Sequence, residues 1–203
     1  MPVQKLLGNS SKGLVFVLSA PAGTGKTTLV RMLSQEFSCI YESVSCTTRP
    51  PRSGEVEGED YHFLSASAFK EKISQGDFLE YAEVFGYYYG TSRVLVEKQQ
   101  NLGKHVFLVI DTQGALQLQS QKFVATTIFL SPPSVEELKE RLLKRSTESL
   151  EVIEKRLSWA REELAVIDRY DYHIINEDLT QAYAVLRSIV IAEEHRVSKK
   201  EFS

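Results

Sequence analysis

The chain has 203 residues, 42% of them hydrophobic and 25% charged, with a formal net charge of −3 and a sequence pI near 5.9. That length and apolar content suffice for an α/β domain without disulfides or a structural metal, and the mildly acidic balance offers no global field for nucleic acid. Two cysteines without metal-ligand spacing suit a reducing compartment, and no apolar run approaches the ~18 residues of a membrane span, so a cytoplasmic protein with no nucleic-acid or membrane partner is expected.

Residues Met1 to Gly13 are polar with small residues and read as a loose leader. The apolar run Leu14 to Leu18 then marks a buried strand over Leu14 to Ser19, and Lys26 to Phe37 reads as a helix. Between them stands Ala20-Pro21-Ala22-Gly23-Thr24-Gly25-Lys26-Thr27. Strand, glycine-rich loop and helix in this order form a phosphate cradle: glycines let backbone N–H groups turn onto phosphate oxygens, and the helix start adds partial positive charge. Lys26 is placed to reach the β/γ-phosphates of a nucleoside triphosphate, and the Thr27 hydroxyl a Mg²⁺. Ala20 replaces the first glycine of the usual pattern, which costs some turn freedom and leaves Gly23, Gly25, Lys26 and Thr27 in place.

Further strands are expected at Tyr41 to Ser45, His105 to Ile110, Thr126 to Leu130 and Tyr172 to Ile175, with helices at Arg93 to Leu102 and Thr180 to His195. This alternation predicts a parallel sheet with helices packed on both faces. Between Asp60 and Gly90 the rhythm changes to short aromatic segments, Tyr61-His62-Phe63, Phe78 to Val84 and Tyr87-Tyr88-Tyr89, around one helical piece, Ala66 to Gln75. That stretch reads as a small inserted lobe. Pro132-Pro133 ends a strand, and Ser134 with Glu137 forms a capping box that opens a charged helical pair. In its second helix Leu150, Ile153, Leu157, Ala160, Leu164 and Ile167 recur at helical spacing as one buried stripe.

The segment Ser45-Cys46-Thr47-Thr48-Arg49-Pro50-Pro51-Arg52-Ser53-Gly54-Glu55 is followed by Asp60-Tyr61-His62-Phe63, Phe78-Leu79-Glu80-Tyr81-Ala82, Tyr88-Tyr89-Gly90-Thr91 and Ile110-Asp111-Thr112-Gln113-Gly114. Together with the phosphate loop these motifs resemble the guanylate kinases over nearly everything after Gly13. The resemblance implies a three-layer α/β/α core with a parallel five-stranded sheet (14–42, 94–133 and 168–203), a small mixed α/β GMP-binding lobe (43–93) and a helical lid (134–167), all in one domain. It implies Mg²⁺-dependent transfer of the ATP γ-phosphoryl group to GMP, giving ADP and GDP, with dGMP a further acceptor and a monomer as the expected state.

Arg49 and Arg52 flank a stiff Pro-Pro step, and such a guanidinium fork suits a phosphate. From the residues alone, pairing with Glu55, Glu57, Glu59 or Asp60 on a solvated loop is the competing reading. The resemblance assigns Arg49, Arg52, Tyr61 and Tyr89 to the GMP phosphate. It assigns Ser45, Glu80, Thr91 and Asp111 to the base. A carboxylate accepts guanine N1–H and N2–H together but meets an acceptor at adenine N1, although the strand pattern also permits Glu80 on an exposed face. ATP is assigned to Ala22, Gly23, Thr24, Gly25, Lys26, Thr27 and Thr28, with Asn176 near adenine.

Arg141, Arg145 and Arg156 are assigned to the lid that neutralises the transferring group, against ordinary helix-face pairing with glutamates. Many guanylate kinases carry D-x-D-x-Q-G where this chain has Val109-Ile110-Asp111. His62, His105, His173 and His195 fit no metal spacing, and Trp159 is expected beside the lid's buried stripe. A scaffold-type binding module and a kinase for phosphorylated ribose are the competing functions; the intact Gly25-Lys26-Thr27 disfavours the first and Glu80 with Ser45 the second.

Overall fold

The recurring apolar runs become strands sandwiched between helices. The computed structural model describes residues 5–84, 86–144 and 150–197. In chain order its elements are β1 (Val15–Ser19), α1 (Lys26–Glu36), β2 (Ile40–Glu42), β3 (Cys46–Thr47), β4 (His62–Phe63), α2 (Ala66–Ser74), β5 (Phe78–Val84), β6 (Tyr87–Ser92) and α3 (Arg93–Asn101). There follow β7 (His105–Ile110), α4 (Thr112–Ser120), β8 (Thr126–Ser131), α5 (Val135–Lys144), α6 (Leu150–Leu164), a 3₁₀ turn at Ile167–Arg169, β9 (Tyr172–Ile175) and α7 (Leu179–Glu194).

The main sheet has five strands in the order β2-β7-β1-β8-β9, all parallel. Every residue of β1 is buried, and its side chains alternate between two cores. Phe16 and Leu18 join Leu29, Leu33, Leu186 and Val190 beneath α1 and α7, while Val15 and Val17 join Val96, Ala115 and Leu118 beneath α3 and α4. These are the three layers expected. Strand β1 lies between β7 and β8, so the chain leaves its C-terminal end at a change of winding direction, where α/β sheets open a crevice.

A second, mixed sheet in the order β4-β3-β6-β5 carries α2, whose Phe69 ring stacks between Phe78 and Tyr88 at centroid distances of 4.4 and 5.4 Å. Helices α5 and α6 form a separate apolar cluster of Leu138, Leu142, Ile153, Leu157 and Ala160. The stripe expected in α6 is therefore present from Ile153 to Ala160, but the helix ends at Leu164 and Ile167 falls in the 3₁₀ turn. The Leu150 side chain lies outside the described residues.

Two expectations need correction. The strand expected at Tyr41 to Ser45 covers only Ile40–Glu42; Ser43 N still donates to Phe107 O at 2.9 Å, and Cys46–Thr47 then pairs in the other sheet. The leader is not loose between Leu7 and Gly13. Leu7 is buried in the core, and the Glu194 carboxylate at the end of α7 accepts from Gly8 N and Asn9 N, each at 2.6 Å. His105 Nδ1 accepts from Leu14 N at 3.1 Å, which leaves its Nε2–H to donate to Glu194 at 2.8 Å.

Burial works against ionisation of Glu194, but these donors outweigh it and hold its pKa down at about 2. The stabilisation is therefore fully present above the ordinary glutamate range and is lost as pH falls from about 4.5 toward 2. Glu194→Gln is expected to cost about 2 kcal/mol at neutral pH, because one carboxylate oxygen is replaced by a donor facing donors. Urea melts at pH 7 and pH 3 check this: the gap between wild type and variant shrinks at the lower pH, and an unchanged gap would contradict it.

Candidate active site

The phosphate loop is built as its residues require. Gly23 and Gly25 take φ of 92° and 100°, the left-handed region that side-chain-bearing residues avoid. Thr24 Oγ1 donates to Pro21 O at 2.8 Å, and Asn176 Nδ2 reaches across from the end of β9 to Thr24 O at 2.7 Å, so the loop is braced on both sides. Helix α1 begins at Lys26 with no side-chain cap, whereas Ser65, Asp111 and Asp178 cap α2, α4 and α7. Its first N–H groups are left for an anion.

Lys26 Nζ donates to Ala20 O at 2.5 Å. Burial lowers the lysine pKa, and the nearby carboxylates of Glu163 and Asp111 oppose that. Burial likewise raises Glu163, to about 7, with Lys26 opposing. Thr27 and Thr28 are exposed in the first turn of α1.

A cavity of about 590 Å³ brings the expected groups together: Lys26 and Ala22 from the loop, with Arg49, Arg52, Tyr61 and Tyr89 on the opposite wall and Arg156 from α6. Arg49 is buried, and its Nη2 pairs with Glu55 Oε1 at 2.7 Å while the guanidinium lies over the Tyr61 ring at 5.2 Å. Glu55 therefore pairs with this arginine and orients it, and the arginine still lines the cavity. Glu55 Oε2 also accepts from Arg52 N at 2.8 Å, so one carboxylate fixes the backbone between the two guanidiniums. The Tyr61 and Tyr89 rings meet edge to face with centroids 6.0 Å apart.

An adjoining cavity of about 210 Å³ shares Lys26, Tyr61, Tyr89 and Asp111 with the first and adds Ser45, Glu80 and Val109. Glu80 is 4% exposed, which decides against the exposed-face reading. The register of β5 against β6 shifts between Phe78 and Glu80. That irregularity lets Leu79 face the main core while Glu80 also stays inside. Thr91 Oγ1 donates to Glu80 Oε1 at 2.6 Å. Burial raises Glu80 to about 7, the Thr91 hydrogen bond opposes this, and Asp111 adds to it.

Asp111 caps α4 through Gly114 N at 2.9 Å. A Cβ on Gly114 would lie 2.5 Å from Glu80 Oε2, so the glycine of the Asp111-to-Gly114 motif makes room for the buried carboxylate. Gly114→Ala is expected to displace Glu80 and so to raise about tenfold the KM of the ligand that uses the smaller cavity, with the KM of the ligand on the phosphate loop nearly unchanged. Steady-state kinetics in each substrate check it, and equal changes in both KM values would contradict it.

Other positions sit differently. Arg141 lines neither of these cavities; its Nη2 donates to Asn176 O at 3.0 Å and its Nε to Glu137 Oε1 at 3.1 Å. Gly23 packs under α5, where an added Cβ would lie 3.1 Å from Leu142 Cδ2. Arg145 lies outside the described residues. Trp159 is half-exposed and also lines the larger cavity. Glu163 was not among the residues expected here; it stands in a charged run, Arg161-Glu162-Glu163, that reads as a solvated helix face.

Among the described residues no helix is long and apolar enough to cross a membrane, and no group of three or more His, Cys, Asp or Glu is placed to hold a metal by itself.

Comparison with known proteins places this geometry. The Guanylate kinase family model matches residues 12–193. The chain is 61% identical over 193 residues to the guanylate kinase of Protochlamydia amoebophila, covering 95% of this chain and 98% of that one. It is 51% identical over 183 residues to the guanylate kinase of Chlamydia pneumoniae, covering 90% and 89%. Among solved structures, the crystal structure of guanylate kinase from Anaplasma phagocytophilum superposes with a TM-score of 0.73 at 34% identity, covering 95% of this chain and 91% of that chain. The phosphate loop, the facing arginine-tyrosine wall and the buried Glu80 therefore belong to a member of the guanylate kinase family.

Proposed function

We propose that this chain transfers the ATP γ-phosphoryl group to GMP directly and in line, with no covalent enzyme intermediate, using the residues that line the two joined cavities. The observation that carries this reading is the convergence of Lys26 and the Arg49, Arg52, Tyr61 and Tyr89 wall on one cavity, with Glu80 in its extension. Residues 43–93 act as the GMP-binding lobe, 134–167 as the lid, and 14–42, 94–133 and 168–203 as the core.

The GMP phosphate is itself an anionic nucleophile, so no general base is required. Catalysis comes from alignment and from countering charge. Ala22 to Thr28 cradle the ATP phosphates, and Lys26 moves from the Ala20 carbonyl to the β/γ-oxygens. Arg49 and Arg52, with the Tyr61 and Tyr89 hydroxyls, hold the acceptor phosphate. Glu80 accepts from guanine N1–H and N2–H, Thr91 fixes its second oxygen, and Ser45 and Asp111 complete the base pocket. Arg156, with Arg141 and Arg145, closes over the donor. Asn176 acts chiefly by bracing the loop at Thr24 O.

Mg²⁺ fits this donor set. The hard-oxygen groups are the exposed Thr27 hydroxyl and, near Lys26, the Asp111 and Glu163 carboxylates. Thr27 would ligate the ion directly and the carboxylates would hold its waters; when bound, it neutralises charge on the triphosphate. The enzyme works as a monomer in the cytoplasm and takes dGMP as well as GMP. Initial rates with Mg-ATP and GMP, dGMP, AMP or a ribose phosphate test the assignment: GMP and dGMP turn over and the others do not. Equal use of a ribose phosphate would point to a sugar-phosphate kinase, and no turnover at all to a binding module.

A further inference from the structure

Glu163 lines the larger cavity together with Ala20, Lys26, Asp111 and Thr112, and the more exposed Glu162 lines it too. Of the two acidic influences on Lys26, Glu163 is the larger and Asp111 the smaller. Asp111 already has a duty, because one of its oxygens caps α4 at Gly114 N. Strand β7 supplies no other acid here, since Val109 occupies the position two residues before Asp111. Two acidic side chains thus share the Lys26 end of the cavity, and one of the two arrives from α6 rather than from the sheet.

Metal-free ATP carries the full negative charge of its phosphates, and the divalent ion reduces that charge in MgATP. A carboxylate beside Lys26 therefore repels the two forms to different degrees, and the difference is large where water is partly excluded. We infer that Glu163 is a specificity-determining residue for the donor, whose carboxylate beside Lys26 selects MgATP over metal-free ATP. The inference rests on reading the loop as the ATP site. Glu163 repels the naked triphosphate and, through water, favours the ion that accompanies it. Removing the charge while keeping the shape then tightens metal-free ATP and weakens MgATP, which a merely structural role for Glu163 does not do.

The test is equilibrium binding of ATP to the full chain by isothermal titration calorimetry at pH 8.5, above the value of about 7 to which burial raises Glu163, so that its carboxylate is charged. It is run once with excess Mg²⁺ and once in EDTA, without GMP so that no transfer occurs. For wild type the Mg²⁺-to-EDTA affinity ratio is large. Glu163→Gln is expected to narrow that ratio about tenfold. Glu163→Asp retains most of it, and Glu162→Gln leaves it within about twofold, as expected of a more screened charge. A Glu163→Gln ratio equal to that of wild type, with both affinities reduced together, overturns the inference while leaving the ATP reading intact. So does an equal narrowing in Glu162→Gln, which would mean a general field rather than this side chain. Wild-type protein that binds ATP in neither condition removes the ATP reading itself.

Discussion

Lys26→Ala is expected to lower kcat by about 10³-fold, the scale of removing one preorganised charge-stabilising donor from a closed site. GMP affinity is expected to change by less than about threefold, because on the proposed reading Arg49 and Arg52, not Lys26, hold the acceptor phosphate. The division follows from where the groups sit. Lys26 projects from the loop, with its ammonium on the Ala20 carbonyl, while Arg49 is held on the far wall by Glu55 and Tyr61. The lysine meets its main task only as charge develops between donor and acceptor, so its loss falls on kcat. The variant also leaves Asp111 and Glu163 without their common counter-charge. Pre-steady-state transfer and direct GMP titration separate the two effects, and equal losses in kcat and GMP affinity would refute the division.

Glu80→Gln is expected to lower kcat/KM for GMP by about 10²-fold to 10³-fold and to shrink the preference over AMP by a similar factor. The amide keeps one acceptor but turns a donor toward a guanine donor, in a pocket where Glu80 is almost wholly removed from water. The same residue sets a pH signature. In the empty site burial raises Glu80 to about 7, so below that pH the carboxyl carries the proton that guanine binding must displace.

GMP affinity therefore falls as pH drops through the region near 7, and binding near neutrality releases a proton to solvent. Titration calorimetry in two buffers of different ionisation enthalpy measures that release. Comparison with Glu80→Gln subtracts the titration of the GMP phosphate itself. Identical proton release in wild type and variant, or an unchanged GMP-to-AMP preference, would remove Glu80 from base reading.

Much of this was legible in the residues because its signals are local. Val15 to Leu18 is an unbroken apolar run, as a strand buried on both faces requires, and the loop after β1 carries glycines where positive φ is needed. The Ser134–Glu137 capping box marks the start of α5, and Ser134 Oγ accepts from Glu137 N at 3.0 Å. What escaped was long-range or too short to have a period. Cys46–Thr47 has two residues, fewer than an alternation needs. Helix α4 shows only Ala115 and Leu118 as deeply buried apolar residues and carries a glycine in its first turn, too sparse a pattern to mark a helix.

The docking of Gly8 and Asn9 depends on Glu194, at the other end of the chain. Glu163 sits in an acidic pair on a charged helix, and the turn of α6 over the loop is what brings it to Lys26. Asp111 showed itself as a cleft residue, whereas its hydrogen bond to Gly114 N, and the space Gly114 leaves for Glu80, are visible only in three dimensions.

The convergence of donor and acceptor on one cavity is tested most directly by a crystal structure with GMP and a non-hydrolysable ATP analogue bound together. The account predicts the GMP phosphate within hydrogen-bond distance, about 3 Å, of Arg49, Arg52 and the two tyrosines, with guanine N1 and N2 on Glu80 and the γ-phosphoryl group of the analogue on Lys26 facing that phosphate. GMP seated away from Glu80, or the two nucleotides held in separate clefts with no line between their phosphates, would contradict it.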